Sequence, residues 1–144
     1  MHYRELGNIL RISRCFETFR RQELKDVDLH PMLALFVSHI CRRPGCTQKY
    51  LVERLCLDKT TVAHHLARLE DKGYVEQRTS EEDARCRLVF PTEKALELYP
   101  RLRESYDNFY DVLVSGLSDE ERQEVSRLTD LLYQNAYQLI KEAK

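Results

Sequence analysis

Glycine and proline are scarce in this chain, four of each in 144 residues. That scarcity argues against a loop-rich or all-β fold, which needs turn residues at short intervals. No apolar run approaches the roughly 18 residues that a membrane span requires, so no membrane association is expected. The first residues, Met1-His2-Tyr3-Arg4-Glu5, are charged and lack an apolar signal core. Export is therefore not expected, and a cytoplasmic location is. Five cysteines, Cys15, Cys41, Cys46, Cys56 and Cys86, form no CxxC pair. An odd number without an export signal reads as reduced thiols, several of them buried as small core residues. His39 and Cys41 stand two apart and His64 and His65 are adjacent, which is no preformed ligand set, so neither metal nor cofactor is expected. No Ser-His-Asp arrangement, carboxylate pair or Gly-rich phosphate loop stands out, which makes an enzyme the least favoured class.

What is there fits a helical protein. The chain is 42% apolar and 33% charged, ordinary for a soluble, helix-rich fold. Its length is that of one domain, or of one compact domain with helical extensions. The net charge of −1 is unevenly spread. Lys and Arg against Asp and Glu number six to five in residues 1–40, ten to eight in 41–91 and seven to eleven in 92–144. The middle is weakly basic and the C-terminal part acidic, so a phosphate-binding face is compatible with the near-neutral whole.

Hydrophobic spacing divides the chain into six helices and a hairpin. From about Tyr3 to Leu24, Leu6, Ile9, Leu10, Phe16 and Phe19 recur at three and four, one face of a helix. His30-Pro31 opens a second, since proline suits a first helical position, with a stripe of Met32, Leu35, Phe36, His39 and Ile40 ended by Arg43-Pro44-Gly45. Thr47 caps a short third helix with Tyr50, Leu51 and Leu55 inward. Asp58 caps a fourth with Val62, Leu66 and Leu69 inward, and Gly73 ends it. Two extended runs follow, Tyr74–Arg78 and Arg87–Phe90. The eight residues between them, most of them polar, form a loop longer than a tight turn needs, as a projecting wing would. Thr92 caps a fifth helix carrying Leu96, Tyr99, Leu102, Tyr106, Phe109, Tyr110 and Leu113, with a kink expected at Pro100. Ser118-Asp119-Glu120-Glu121 is a capping box that opens a sixth, running to about Ala143, with Val125, Leu128, Leu131, Leu132, Leu139 and Ile140 as its stripe.

This is the plan of a winged helix-turn-helix, mainly α with a small β-wing. It divides as residues 1–29, 30–91 and 92–144: an N-terminal helix, a DNA-binding lobe, and C-terminal helices. The first and last helices are more apolar than one small lobe can cover, and pairing with a second copy is the simplest way to bury them. The helix from Asp58 is the candidate for the major groove. Lys59, Thr60, Thr61 and His64 lie at its N-terminus, where small polar side chains and free N–H groups admit bases and phosphates. The competing reading of these four is an ordinary solvated helix face. Arg85 at the wing tip suits a narrow minor groove, with Asp83 steadying the loop, though the two could be a surface ion pair of little weight. Arg78 and Arg87 are candidate phosphate contacts at the wing base.

Taken together, Leu69-Glu70-Asp71-Lys72-Gly73-Tyr74-Val75, Asp83-Ala84-Arg85 and Pro91-Thr92-Glu93-Lys94-Ala95, with the order of helices around them, resemble the MarR family. The resemblance covers nearly the whole chain. It implies a homodimer held by its N- and C-terminal helices, reading double-stranded DNA at a near-palindromic site, with Arg85 in the minor groove and the Asp58 helix in the major groove. Thr47, at the start of the third helix, joins the DNA-binding set. It implies a transcription regulator, often a repressor, relieved by a small molecule or an oxidant. The effector crevice, for a small aromatic or amphipathic molecule, would be lined by Phe16, Phe19, Met32, Phe36, Tyr106 and Tyr110, whose spacing is equally that of a plain core. Three positions depart from the family pattern. Gln77 replaces a usual Arg, removing a phosphate contact unless Arg78 substitutes. His64 replaces a longer basic residue, so base readout here weakens above neutral pH. Pro91 and Ala95 replace a usual Leu and Gly where the wing meets the fifth helix.

Two alternatives use the same scaffold. One is a thiol-based redox sensor, with Cys15 near Arg11 and Arg14, or Cys86 between Arg85 and Arg87, as the reactive residue. The other is a winged-helix protein-interaction module without DNA binding.

Overall fold

The computed structural model describes residues 2–143. Its elements run α1 (Tyr3–Glu23), α2 (Pro31–Arg42), β1 (Cys46–Thr47), α3 (Gln48–Leu55), α4 (Lys59–Asp71), β2 (Val75–Thr79), β3 (Arg87–Pro91), α5 (Glu93–Leu113) and α6 (Asp119–Glu142). This is the expected winged-helix order, mostly helical with a small antiparallel sheet.

The helix starts follow their capping chemistry. Thr47 Oγ1 accepts from the Tyr50 N–H at 3.0 Å, and Asp58 Oδ1 from the Thr61 N–H at 2.8 Å. Ser118 and Glu121 complete a reciprocal capping box at α6. Ahead of Pro31, His30 Nδ1 accepts from the Met32 N–H at 3.2 Å, an imidazole in the place of the usual hydroxyl or carboxylate. Gly73 ends α4 at φ +78°, as anticipated. At the end of α3 it is Cys56 that takes the left-handed conformation, φ 53° and ψ 38°.

The sheet differs from a bare hairpin. A third strand, β1, pairs antiparallel with β3, giving the order β1-β3-β2, with Cys46 and Gln77 both opposite Val89. Two residues are too few to show an alternating pattern, so β1 was not foreseeable from periodicity.

The core lies where α2, α3 and α4 meet the sheet. Leu33, Phe36, Val37 and Ile40 from α2, Leu51 from α3, Val62, Leu66 and Leu69 from α4, Val75 from β2 and Val89 from β3 are all buried there. α2 is covered on most of its circumference rather than along one stripe. Leu33, Ala34 and Val37 are buried, while Met32, Leu35 and His39 of the expected stripe are half-exposed. Along α5 the inward residues are Ala95, Leu102 and Ser105, and the expected Leu96 is exposed. That helix continues across Pro100.

The chain forms two compact units, one running to Phe109 and a second starting at Tyr110. In the first, the turn after α1 is tied to α5, because Arg101 donates to both carboxylate oxygens of Asp26 (2.5 and 2.7 Å) and to the Glu23 carbonyl (2.5 Å). The same bonds lower the Asp26 carboxyl to a pKa of about 2. Phe16 packs on Tyr106 and Phe109, and Phe19 on Phe109, with ring centroids 4.8–5.5 Å apart. The N-terminal half of α1 leaves Leu6, Ile9, Leu10 and Ile12 exposed. In the second unit, α6 buries none of its residues.

Candidate nucleic-acid interface

α4 is positioned by its apolar spacing. Val62, Leu66 and Leu69 are fully buried, which turns Lys59, Thr60, Ala63, His64, Ala67 and Arg68 outward. Lys59, Thr60 and His64 are therefore exposed on the N-terminal part of the helix, as a groove-reading element requires. Thr61 is partly buried and already engaged. Its N–H and its hydroxyl (2.6 Å) both donate to Asp58, which holds that carboxyl below the usual range. Only the lone pairs of its hydroxyl remain, so it can accept from a base N–H but has no donor left for a phosphate. Ala63 and Ala67 escaped the sequence reading because alanine carries no charge. Their small side chains on the outward face let a backbone approach, and each suits a thymine methyl. Thr47, half-buried, belongs to β1 and uses its hydroxyl on the α3 cap.

The wing is held by its own backbone. Asp83 Oδ1 accepts from the Arg85 N–H at 3.0 Å, and the Cys86 N–H donates to the Asp83 carbonyl at 2.9 Å. Ser80 Oγ accepts from the N–H groups of Glu82 and Asp83. Asp83 thus fixes the turn that carries Arg85 without pairing with the guanidinium. Among the described residues, the Arg85, Arg87 and Lys59 side chains have no hydrogen-bonding or ion-pair partner. Arg78 is differently placed. It pairs with Glu76 at 3.0 Å and lies over the Phe90 ring at 4.6 Å. Successive strand residues face opposite sides, so Arg78 points away from the face that Gln77 occupies and cannot stand in for it. Gln77 is half-buried, donating to Glu70 and accepting from Gln48, both at 3.1 Å.

The expected effector residues are not all gathered at one place. A cavity of about 500 Å³ opens between α2 and α5, lined by Leu35, Ser38, His39, Arg42, Tyr99, Arg103, Tyr106 and Asp107. Of the six candidates only Tyr106 lines it. Phe36 lies in the core with its ring edge on His65, Phe16 and Phe19 belong to the aromatic cluster around Phe109, and Met32 packs against the core. Tyr110 is exposed in the second unit.

Behind Tyr106 lies a residue the sequence reading passed over. Arg20 is 2% exposed, donates to the Tyr106 hydroxyl at 3.0 Å, and sits over the Tyr106 and Phe16 rings at 4.4 and 5.5 Å. Its Nε and Nη2 have no hydrogen-bond partner among the described residues. Burial lowers its pKa, partly opposed by Tyr106, and burial likewise raises that of the Tyr106 phenol. The aromatic faces offset some of the cost of desolvating this cation. Its only sequence signal was position: it falls one residue after Phe19, on the covered side of α1. His39, on the cavity wall, is held toward its neutral form by burial and by Arg54 and Arg42.

All five cysteines are free thiols. Cys15 is exposed and Cys86 half-buried, while burial raises Cys41 to a pKa of about 11 and raises Cys46 as well. Among the described residues no three His, Cys, Asp or Glu side chains are grouped to hold a metal ion, and no helix is long and apolar enough to cross a membrane.

Comparison with known proteins agrees with this architecture. Residues 27–85 match the sequence model of the MarR family. The HTH-type transcriptional regulator YybA of Bacillus subtilis, itself uncharacterized, is 32% identical over 132 residues, 92% of this chain and 86% of that protein. A MarR protein from Peptoclostridium difficile superposes with a TM-score of 0.93 at 25% identity, covering 100% of this chain and 94% of that one. The S. aureus MepR–DNA complex shares the fold with a TM-score of 0.81 at 21% identity, covering 92% and 97%.

Proposed function

The chain belongs to the MarR family of DNA-binding transcription regulators, and we propose that it acts as a homodimeric repressor on a near-palindromic operator. The observation that carries this reading is the pairing of two unengaged cationic elements on one lobe. Lys59, Thr60 and His64 stand exposed at the N-terminus of α4, and the Arg85 guanidinium stands unpaired on a wing whose backbone Asp83 fixes. In this proposal residues 30–91 read DNA, α4 in the major groove and Arg85 in the minor groove. Thr47, Arg78 and Arg87 border the phosphates, and Thr61 borders the bases.

Residues 1–29 and 92–144 pair the two copies. The support is the run of exposed apolar side chains in the single chain, Leu6, Ile9 and Leu10 on α1 and Leu128, Leu131, Leu132 and Leu139 on α6, more than scattered surface residues explain. Release comes from a small aromatic or amphipathic effector. The cavity between α2 and α5 supports this, being large enough for a ring and walled by Leu35 and Tyr99 beside His39, Arg42 and Tyr106. Such a ligand would stabilise the lobe placement that fits DNA poorly.

Hydroxyl-radical footprinting on a duplex that this chain selects from a random pool tests the proposal. Two symmetric protected patches about one helical turn apart are expected, roughly 34–36 Å. A single asymmetric patch would refute the homodimer.

A further inference from the structure

Gln77 departs from the family pattern, yet it is among the most fully engaged polar side chains of the lobe. It lies in β2 opposite Val89 of the central strand, and Cys46 of β1 lies opposite the same residue. These three make one row across the sheet. On the side facing the helices, Gln77 Oε1 accepts from Gln48 Nε2 at 3.1 Å, and Gln77 Nε2 donates to Glu70 Oε2 at 3.1 Å. Gln48 opens α3 and Glu70 stands in the last turn of α4. One side chain therefore ties the wing strand to both helices of the helix-turn-helix.

The orientation of this amide is chemically determined. The Glu70 carboxylate can only accept, so the Gln77 nitrogen must face it, which leaves the oxygen for Gln48. An arginine here could donate to Glu70 and, with the Gln48 amide turned over, to the Gln48 oxygen as well, but it would place a charge at this half-buried position. A leucine would leave the half-buried Gln48 amide without its bond. Glutamine thus gives up a cation near the phosphates and holds three elements in register.

We propose that Gln77 is a positioning residue, coupling the Arg85-bearing wing to the groove-reading helix so that minor- and major-groove contacts form together. The inference rests on the DNA-binding role proposed above. Gln77 itself touches no DNA in this account. Its influence passes through Arg85 on one side and through α4 on the other.

A double-mutant cycle tests it, read by fluorescence anisotropy on a labelled duplex selected by the wild-type chain from a random pool. Q77L is expected to weaken binding about tenfold when Arg85 is present, and by less than about twofold in the R85A background, since contacts that share a network are not additive. Q77E places a carboxylate against Glu70 and is expected to weaken binding similarly. Adding E70Q exchanges the amide and the carboxylate, restores both hydrogen bonds, and is expected to recover most of the lost affinity. That rescue keeps the test decisive if Q77L melts too early to assay. Equal losses in the two Arg85 backgrounds, no loss at all, or no rescue by E70Q would overturn the inference while leaving the DNA-binding role intact. Failure of the wild-type chain to recover any duplex would overturn the DNA-binding role and this inference with it.

Discussion

Two single residues carry conformations or charges that a stability argument alone would not select. Cys56 closes α3 in the left-handed region at φ 53°, where a side chain with a Cβ is strained and glycine is favoured. Cys56→Gly is expected to stabilise the chain by about 0.5–1 kcal/mol, after allowing for glycine's greater freedom when unfolded. A thermal melt should show a midpoint higher by a few degrees, and a lower midpoint would contradict the strain. Arg20 is the second case. It is buried among aromatic rings with one hydrogen bond to Tyr106 and, among the described residues, no carboxylate opposite it. Replacing buried charge by an apolar side chain of similar length is often neutral or stabilising. Arg20→Met should therefore melt no lower than the wild type. A large loss of stability would mean that the ring contacts and the bond to Tyr106 outweigh the cost of burying the guanidinium.

At the scale of elements, the seam between α2 and α4 contains a buried polar group without a partner. His65 meets the Phe36 ring edge at 5.3 Å, and its buried Nδ1 has no partner among the described residues. Burial, then His64, Arg68 and His30, depress its pKa, and burial with Arg54 and Arg42 does the same for His39. The unfolded chain therefore takes up protons first as pH falls below the ordinary histidine value of about 6.5. Stability is full above that value and declines below it. Urea midpoints should fall between pH 7.5 and pH 5.5, and His65→Phe should flatten the change. A midpoint that rises on acidification would contradict this placement of the imidazoles. The α6 cap is the corresponding case among helices, since Ser118→Ala removes one arm of its capping box and should cost about 1 kcal/mol.

Elements were legible from sequence where a cap or a period announced them. Thr47, Asp58 and Ser118 mark their helices at the right residues because each satisfies free N–H groups that any helix exposes. The stripe of α2 was not, because a helix covered on most sides has no single apolar face to read. β1 was too short to show alternation, and the row from Cys46 through Val89 to Gln77 depends on that strand. The outward residues of α4 could be read from the spacing of Val62, Leu66 and Leu69. The engagement of Gln77 with Gln48 and Glu70 joins positions 29 and 7 residues apart, so no local pattern reveals it. Arg20 looked like one more polar residue in a charged helix, and only its tertiary neighbours distinguish it.

For the whole molecule, the uncovered apolar faces of α1 and α6 are the feature a single chain leaves unresolved. If they meet a second copy, folding and association are linked, and the melting temperature rises with chain concentration. Truncation before Val125 should leave a poorly folded chain, and a stable DNA-binding monomer from that truncation would contradict the dimer. The grip on DNA itself is measured by anisotropy on the duplex upstream of the protein's own gene, across a salt series, for the wild type and Arg85→Ala. Tight wild-type binding is predicted, weakened about tenfold by the substitution, with a log–log salt slope shallower by about 0.9 for one lost ionic contact. Identical affinities and slopes for the two proteins, or no binding by either, would contradict it.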